Sequence, residues 1–359
     1  MADSKQAPLD AEAAAKAAFA SVQDQPFPND IFTAPELRWA VIGCGVIANQ
    51  MAQSFALAGR KLAGVANRTL SKAQAFAEQY GVEKVYDTVE DLYADPNIDA
   101  VYITTPHNTH ITYLRSALAA GKHVLCEKAI TLNSAELDEA RAIADEHNVV
   151  LMDATTVLHM PLYQELRRRM DAGEFGHMNL AQLNFGSYKE YGDLTNRFYN
   201  RNLAGGAMLD IGVYALSIMR LFMASQPVEV VSLGNTCETG VDVAGGIVCR
   251  NADQQLGVVS LTLHSKQPKR SVISFDKCYI EVNEYPRADH ATIVWTADGH
   301  REEVHAGTEA YALCYEMADL EKAVAGDDSK RELLDYASDV MELMTKLRAD
   351  WGVVYPEEE

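Results

Sequence analysis

At 359 residues the chain is long enough for two hydrophobic cores, and its 48% hydrophobic content is that of an ordinary globular protein. A net charge of -20 would be repelled by a phosphate backbone, which argues against a nucleic-acid partner. No apolar run approaches the roughly 20 residues of a membrane span, and Met1–Gln6 has no apolar core behind a basic start, so neither a membrane nor a secretory route is expected. Six scattered cysteines, Cys44, Cys126, Cys237, Cys249, Cys278 and Cys314, form no CxxC pair and no Cys/His cluster of zinc spacing. A reducing cytoplasm and no metal site follow.

Residues 1–37 read as an arm. Ala11–Ala20 is alanine-rich and helix-compatible, and Gln25–Asp30 reads as extended or turning chain. Phe27, Ile31 and Phe32 either trail in solvent or dock on the body or a neighbouring subunit. The apolar run Trp39–Ile42 then leads into Gly43-Cys44-Gly45-Val46-Ile47-Ala48, a GxGxxA fingerprint. Its first glycine permits a tight strand-to-helix turn, the second lets backbone approach a pyrophosphate, and Ala48 permits close helix–strand packing. A second strand over Lys61–Ala66 completes a βαβ unit of the expected length, which separates this string from a bare glycine turn.

After that strand, where an NAD enzyme carries a ribose-binding carboxylate, stand Asn67 and Arg68, with Ser71 and Lys72 close behind. A guanidinium pairs with a 2′-phosphate that a carboxylate would repel, so NADP is favoured and NAD stays possible. Ordinary solvated charges opening the helix Ser71–Tyr80 are the alternative.

The alternation continues through Lys84–Tyr86, a helix capped by Thr88, and a central strand Ala100–Thr104. Thr105-Pro106-His107-Asn108-Thr109-His110 leaves that strand at the same sheet edge as Gly45. The strand His123–Cys126 ends in Glu127-Lys128-Ala129, and Asn133–Asn148 leads as a helix into Val149–Asp153. A lysine at the C-terminal edge of a parallel sheet stands where such enzymes keep substrate and cofactor, so Lys128 is the best single candidate for chemistry. The fold class expected is α/β, a doubly wound Rossmann domain over 38–155.

Beyond Met160-Pro161 the pattern changes. A helix around Tyr163–Met170 precedes strand-like segments at Asn179–Ser187, Val228–Leu233, Gly246–Arg250, Leu256–His264 and Ser271–Phe275, with few helices between them. That succession predicts a large open, mainly antiparallel sheet over 156–359, with a C-terminal helix free to pack back on the first domain. One helix interrupts it, from Gly205-Gly206 through Asp210 and Tyr214 to Arg220. The four-residue spacing would stack Asp210 and Tyr214 on one helix face, a carboxylate and a phenol suited to proton handling. Tyr188, Tyr191, Arg197, Phe198 and Asn202 lie before the glycine pair in a polar, aromatic-rich loop suited to lining a sugar site, and His159 is a weaker candidate for touching substrate.

Together, GxGxxA, Thr105-Pro106 through His110, Ala120 through Cys126-Glu127-Lys128, and Gly205-Gly206 through Asp210 and Tyr214 resemble the Gfo/Idh/MocA oxidoreductases, from about Arg38 to the C-terminus. That resemblance implies pyridine-nucleotide-dependent oxidation of a sugar or polyol hydroxyl, and a homodimer or homotetramer formed through the open sheet. By the same likeness Lys128 contacts substrate hydroxyl and cofactor, Asp210 orients substrate, and Tyr214 is the proton-handling position. It is Tyr in the branch similar to dimeric dihydrodiol and NADP-xylose dehydrogenases. Gly43, Gly45, Val46, Ile47, Asn67, Arg68, Thr105, Pro106, His107, His110, Glu127 and Lys128 form the expected cofactor set; Lys128, His159, Tyr188, Arg197, Asp210 and Tyr214 the expected substrate set. Ala129 replaces the family's usual proline, and His159-Met160-Pro161 stands where many relatives carry an arginine. Two other classes stay open on the same fold: a non-catalytic nucleotide-binding sensor and a nucleotide-dependent glycosidase.

Overall fold

The computed structural model describes residues 16–23 and 25–359; residues 16–22 are helical, and the rest of the expected Ala11–Ala20 helix lies outside the described residues. The chain divides into two compact units. One runs to Ala154 and takes in Ala310–Asp335; the other comprises Thr155–Glu309 and Tyr336–Glu359.

The first unit is built on a six-stranded sheet of β1 (Trp39–Ile42), β2 (Gly64–Ala66), β3 (Lys84–Tyr86), β4 (Ala100–Ile103), β5 (His123–Cys126) and β6 (Leu151–Asp153). Every pairing is parallel and the order is β3-β2-β1-β4-β5-β6, the doubly wound arrangement expected. Strands β1 and β4 are buried along their whole length. Helices cover both faces of such a sheet, so its strands read as unbroken apolar runs.

Helix α1 (Val46–Leu57) buries Ala48, Met51, Ala52 and Phe55. It is followed by α2 (Leu70–Tyr80), α3 (Val89–Ala94), α4 (His110–Ala119) and α5 (Ser134–Glu146). Two of these start on side-chain caps: Thr88 Oγ1 accepts the Asp91 N–H at 3.1 Å and Asn133 Oδ1 accepts the Glu136 N–H at 3.0 Å.

The arm packs as part of this unit. Ile31 is buried, Phe27 stacks on Phe32 at 5.9 Å and meets Tyr311 edge-on at 5.2 Å, and the Arg60 guanidinium lies 3.7 Å over the Phe32 ring. A later helix, Ala312–Val324, supplies Glu321, a wholly buried carboxylate. Its Oε1 accepts the Leu37 N–H at 3.2 Å, the Trp39 indole N–H at 3.1 Å and Arg60 Nη1 at 2.7 Å.

The second unit carries an eight-stranded sheet: β7 (Met178–Gly186), β8 (Pro227–Thr236), β9 (Asp242–Asn251), β10 (Leu256–Thr262), β11 (Gln267–Phe275), β12 (Cys278–Asn283), β13 (His290–Trp295) and β14 (Arg301–His305). Its order is β14-β13-β12-β11-β7-β10-β9-β8, and every pair is antiparallel except β7 with β10. Along β10 and β12 alternate side chains are buried, as a one-sided sheet requires.

After helix α6 (Pro161–Asp171), a π turn (Met208–Gly212) followed by helix α7 (Val213–Phe222) packs against β7 and β10. The helical run Arg201–Phe222 is long and apolar enough to cross a membrane, contrary to the sequence expectation, but 83% of its most apolar window is buried within the fold. An enclosed core helix accounts for that composition.

Candidate active site

In the first unit the strand ends fall level, because Ile42 pairs with Ala66 and Ile103, Ile103 with Cys126, and Cys126 with Asp153. The loops leaving β1, β2, β4 and β5 therefore open along one edge, around the reversal of strand order between β1 and β4, where open α/β sheets hold ligands.

Gly43 turns the chain there with φ +102°, and a Cβ at that position would meet Thr104 Oγ1 at 2.6 Å. Only glycine fits. A Cβ at Gly45, by contrast, would meet nothing within 4 Å, and the first turn of α1 has neither a side-chain cap nor an acidic residue. An uncapped helix N-terminus behind an open glycine suits the pyrophosphate of a dinucleotide. Past β2, the Asn67 side-chain amide donates to the Thr69 carbonyl at 2.9 Å and shapes the turn, leaving Arg68 exposed. Lys72 acts on the Cys44 thiol in that glycine turn, lowering a pKa that burial pushes up to about 11. Lys72 thus lies near the glycine turn, with Arg68 following β2 at the same sheet edge.

Lys128 leaves the end of β5 on a turn held from the Thr105–His110 loop. His107 Nε2 meets the Lys128 carbonyl at 3.0 Å; His110 Nδ1 meets the Ala129 carbonyl at 3.0 Å while its Nε2 meets the Thr105 carbonyl at 2.8 Å. Burial pushes His110 below the ordinary histidine pKa, against the three backbone carbonyls that favour its proton. Of the expected cofactor set, His110 is therefore turned wholly inward and has no surface to offer a ligand. The Lys128–Ala129 peptide is cis, at the position where the family's usual proline is replaced. Beside it the Tyr102 hydroxyl donates to the Glu127 carboxylate, whose Oε2 accepts the Lys128 N–H at 3.3 Å.

In the second unit the expected substrate residues divide. Asp210 sits within the π turn, nearly buried, and takes Arg197 Nη2 at 3.4 Å; that guanidinium also lies 4.2 Å over the Phe198 ring. Tyr214, half-buried in the first turn of α7, stands 6.0 Å from Phe185, ring to ring. The π turn alters the stacking that a regular helix would give the pair. Tyr188 is exposed, Tyr191 packs on His264 at 4.9 Å, and Asn202 is exposed. His159 is buried at 1% exposure and presents nothing to a substrate. Sequence reasoning missed Asp242, whose carboxylate reaches the start of the same helical segment from β9.

Residues 37–155 match the model of an oxidoreductase family described as an NAD-binding Rossmann fold, and residues 163–281 match the Gfo/Idh/MocA C-terminal domain. Mouse trans-1,2-dihydrobenzene-1,2-diol dehydrogenase is 32% identical over 254 residues, 69% of this chain and 75% of that protein. The chain belongs to the Gfo/Idh/MocA oxidoreductase family. Solved structures share the fold. A 3-ketoreductase from Actinomadura kijaniata with NADP and TDP-benzene aligns at TM-score 0.75 and 23% identity, covering 88% of this chain and 98% of that one. The aldose-aldose oxidoreductase from Caulobacter crescentus with glycerol aligns at 0.77 and 21%, covering 88% and 97%. As a Gfo/Idh/MocA protein, the chain is an NAD(P)-dependent oxidoreductase.

Proposed function

We propose that the protein is an NADP-dependent dehydrogenase or reductase of a sugar-like polyol or vicinal diol, with Lys128 at the reacting hydroxyl. The observation that carries this is the placement of Lys128, on a turn held by His107 and His110, at the same sheet edge as the Gly43–Gly45 turn. Bound nicotinamide supplies or accepts the hydride. Lys128 holds the substrate hydroxyl and eases its proton away; in the second unit, Tyr214 is the phenol suited to taking or returning a proton, and Asp210 with Arg197 is suited to orienting further hydroxyls. The relatives support the substrate class: the mouse protein is named for a vicinal dihydrodiol and the Caulobacter one for aldoses. A cytoplasmic setting suits a chain whose six cysteines are all free thiols.

A screen of trans-1,2-dihydrobenzene-1,2-diol, D-xylose and D-glucose with NADP and NAD, followed by nicotinamide absorbance, tests the reading. Turnover on at least one is expected. Tight NADP binding with no turnover on a wide polyol panel would favour a sensor, and release of product from an activated glycoside would favour a glycosidase.

Arg68 and Lys72 give NADP the advantage in this reading. NADP should bind at least about tenfold more tightly than NAD, roughly 1.4 kcal/mol, and Arg68→Ala should erase most of that margin. Calorimetry giving equal affinities for the unaltered protein would refute the preference.

Assembly is read from the open face of the eight-stranded sheet. Val231 pairs with Val248 across β8 and β9; with Val228, Leu233 and Leu256 they leave large apolar side chains in solvent, Val231 at 75% and Leu233 at 83% exposure. Across the sheet, β12–β14 present Glu281, Thr292 and Glu303 in register instead. A patch of that kind is covered most simply by its own copy, in a homodimer or, with a second contact, a homotetramer. Light scattering at micromolar concentration should give a multiple of 39.5 kDa, and Leu233→Arg should lower it. A clean single-chain mass for the unaltered protein would refute the assembly.

A further inference from the structure

Asp242 opens β9 with its side chain fully enclosed. Its Oδ2 accepts the Met208 N–H at 2.6 Å, and the carboxylate also takes the Ala207 amide, so it caps from a distant strand the helical segment that begins at Ala207. Its Oδ1 has no hydrogen-bond partner among the described residues and fills the space beside Gly206, where φ is +128° and a Cβ would come within 2.3 Å of that oxygen. From the other side the Tyr355 hydroxyl donates to the Gly205 carbonyl at 2.7 Å. The helix Leu333–Asp350 contributes Arg348, stacked over the Tyr355 ring at 4.7 Å and paired with Glu358 at 2.8 Å. The charged and titratable groups around Asp242 are thus Arg348, Tyr355 and Glu358.

A buried carboxylate is costly, and a neutral Asn or Ser would cap the same amides more cheaply. What the charge adds is a stronger grip on N–H groups at the positive end of the segment. We propose that Asp242 is a positioning residue for the reaction: by holding the Ala207 and Met208 amides it fixes the π turn that presents Asp210 and, one turn on, Tyr214. This rests on the reading of Asp210 and Tyr214 as substrate residues.

Burial pushes the Asp242 carboxyl up to about 6, opposed by the Met208 amide and by Arg348. The grip is therefore full at neutral pH and weakens as acid protonates the group. A carboxyl with a raised folded pKa holds its proton more tightly folded than unfolded. Acidification from about 6 toward the ordinary 3.8 thus favours the folded chain through this group, and a rate lost there reports the grip and not unfolding.

The test compares unaltered protein, Asp242→Asn and Tyr214→Phe on trans-1,2-dihydrobenzene-1,2-diol with NADP from pH 5 to 8. Asp242→Asn should lower kcat about tenfold or more at neutral pH, leave cofactor affinity and Tm near their original values, and flatten the acid limb of the profile. Full kcat in Asp242→Asn beside an impaired Tyr214→Phe overturns the inference alone; full kcat in Tyr214→Phe removes the substrate reading and the inference with it. Hydrogen exchange at the Ala207 and Met208 amides of the unaltered protein needs neither variant nor substrate. Protection that falls between pH 7 and 5, after correction for intrinsic exchange, supports the grip, and unchanged protection overturns it.

Discussion

Lys128→Met should lower kcat on the order of 10²-fold or more while changing the dissociation constant for NADP little. Methionine keeps the unbranched stem and removes the ammonium, so the loss isolates the charge and its protons. The turn itself should survive, because its hold on the loop runs through main-chain carbonyls: His107 on that of Lys128 and His110 on that of Ala129. Steady-state rates at saturating substrate, beside a fluorescence titration of NADPH, separate the two effects. Near-native turnover would remove Lys128 from the chemistry, and a parallel collapse of cofactor affinity would make it a binding residue instead.

The largest effect on stability is expected at Glu321. Its Oε1 is the shared acceptor for the Leu37 amide, the Trp39 indole and Arg60, whose side chain is 11% exposed. Among the described residues, Glu321→Ala would leave the guanidinium with only Glu36, an exposed carboxylate 3.9 Å away, and strand an indole N–H in the core. Breaking a buried pair from one side costs roughly 3–5 kcal/mol, whereas an exposed ion pair is worth about 0–1. Chemical denaturation reads the difference. A loss below about 1 kcal/mol would show that the site relaxes or admits water, and that the pair does not anchor this unit.

Most of the nucleotide-binding sheet was legible because β1, β4 and β5 are buried runs followed by distinctive turns, and a strand covered on both faces leaves an unbroken apolar string. The end of β5 placed Lys128 for the same reason. β14, Arg301–His305, was not legible: it holds one apolar residue in five, so no alternation marks it. β12 and β13 escaped notice between it and a recognised strand.

Among the site residues, a histidine six or seven places after a strand reads alike whether it faces a ligand or the interior. His110 and His159 proved to face the interior, a choice made by the packing around them. The π turn was equally hidden. Four-residue spacing predicts an α-helical stack, and the wider winding arises where Gly206 and Asp242 meet, a contact between residues far apart in sequence. Asp242 itself stands at the start of a strand, where nothing local distinguishes a cap for a remote helix from a solvated carboxylate.

The buried contacts of Glu321 also bear on the order in which the chain can fold during synthesis. Domains that come first from the ribosome usually fold first. Here the earliest strand, β1, waits for a helix encoded almost three hundred residues later: the Trp39 indole and the Arg60 guanidinium have their acceptor only once Ala312–Val324 has emerged. The sheet of the first unit can pair early, but the helix Ala312–Val324 joins it only when nearly the whole polypeptide has been made. A nascent chain halted at residue 155, the end of the family's nucleotide-binding segment, therefore carries the dinucleotide fingerprint on an unfinished body.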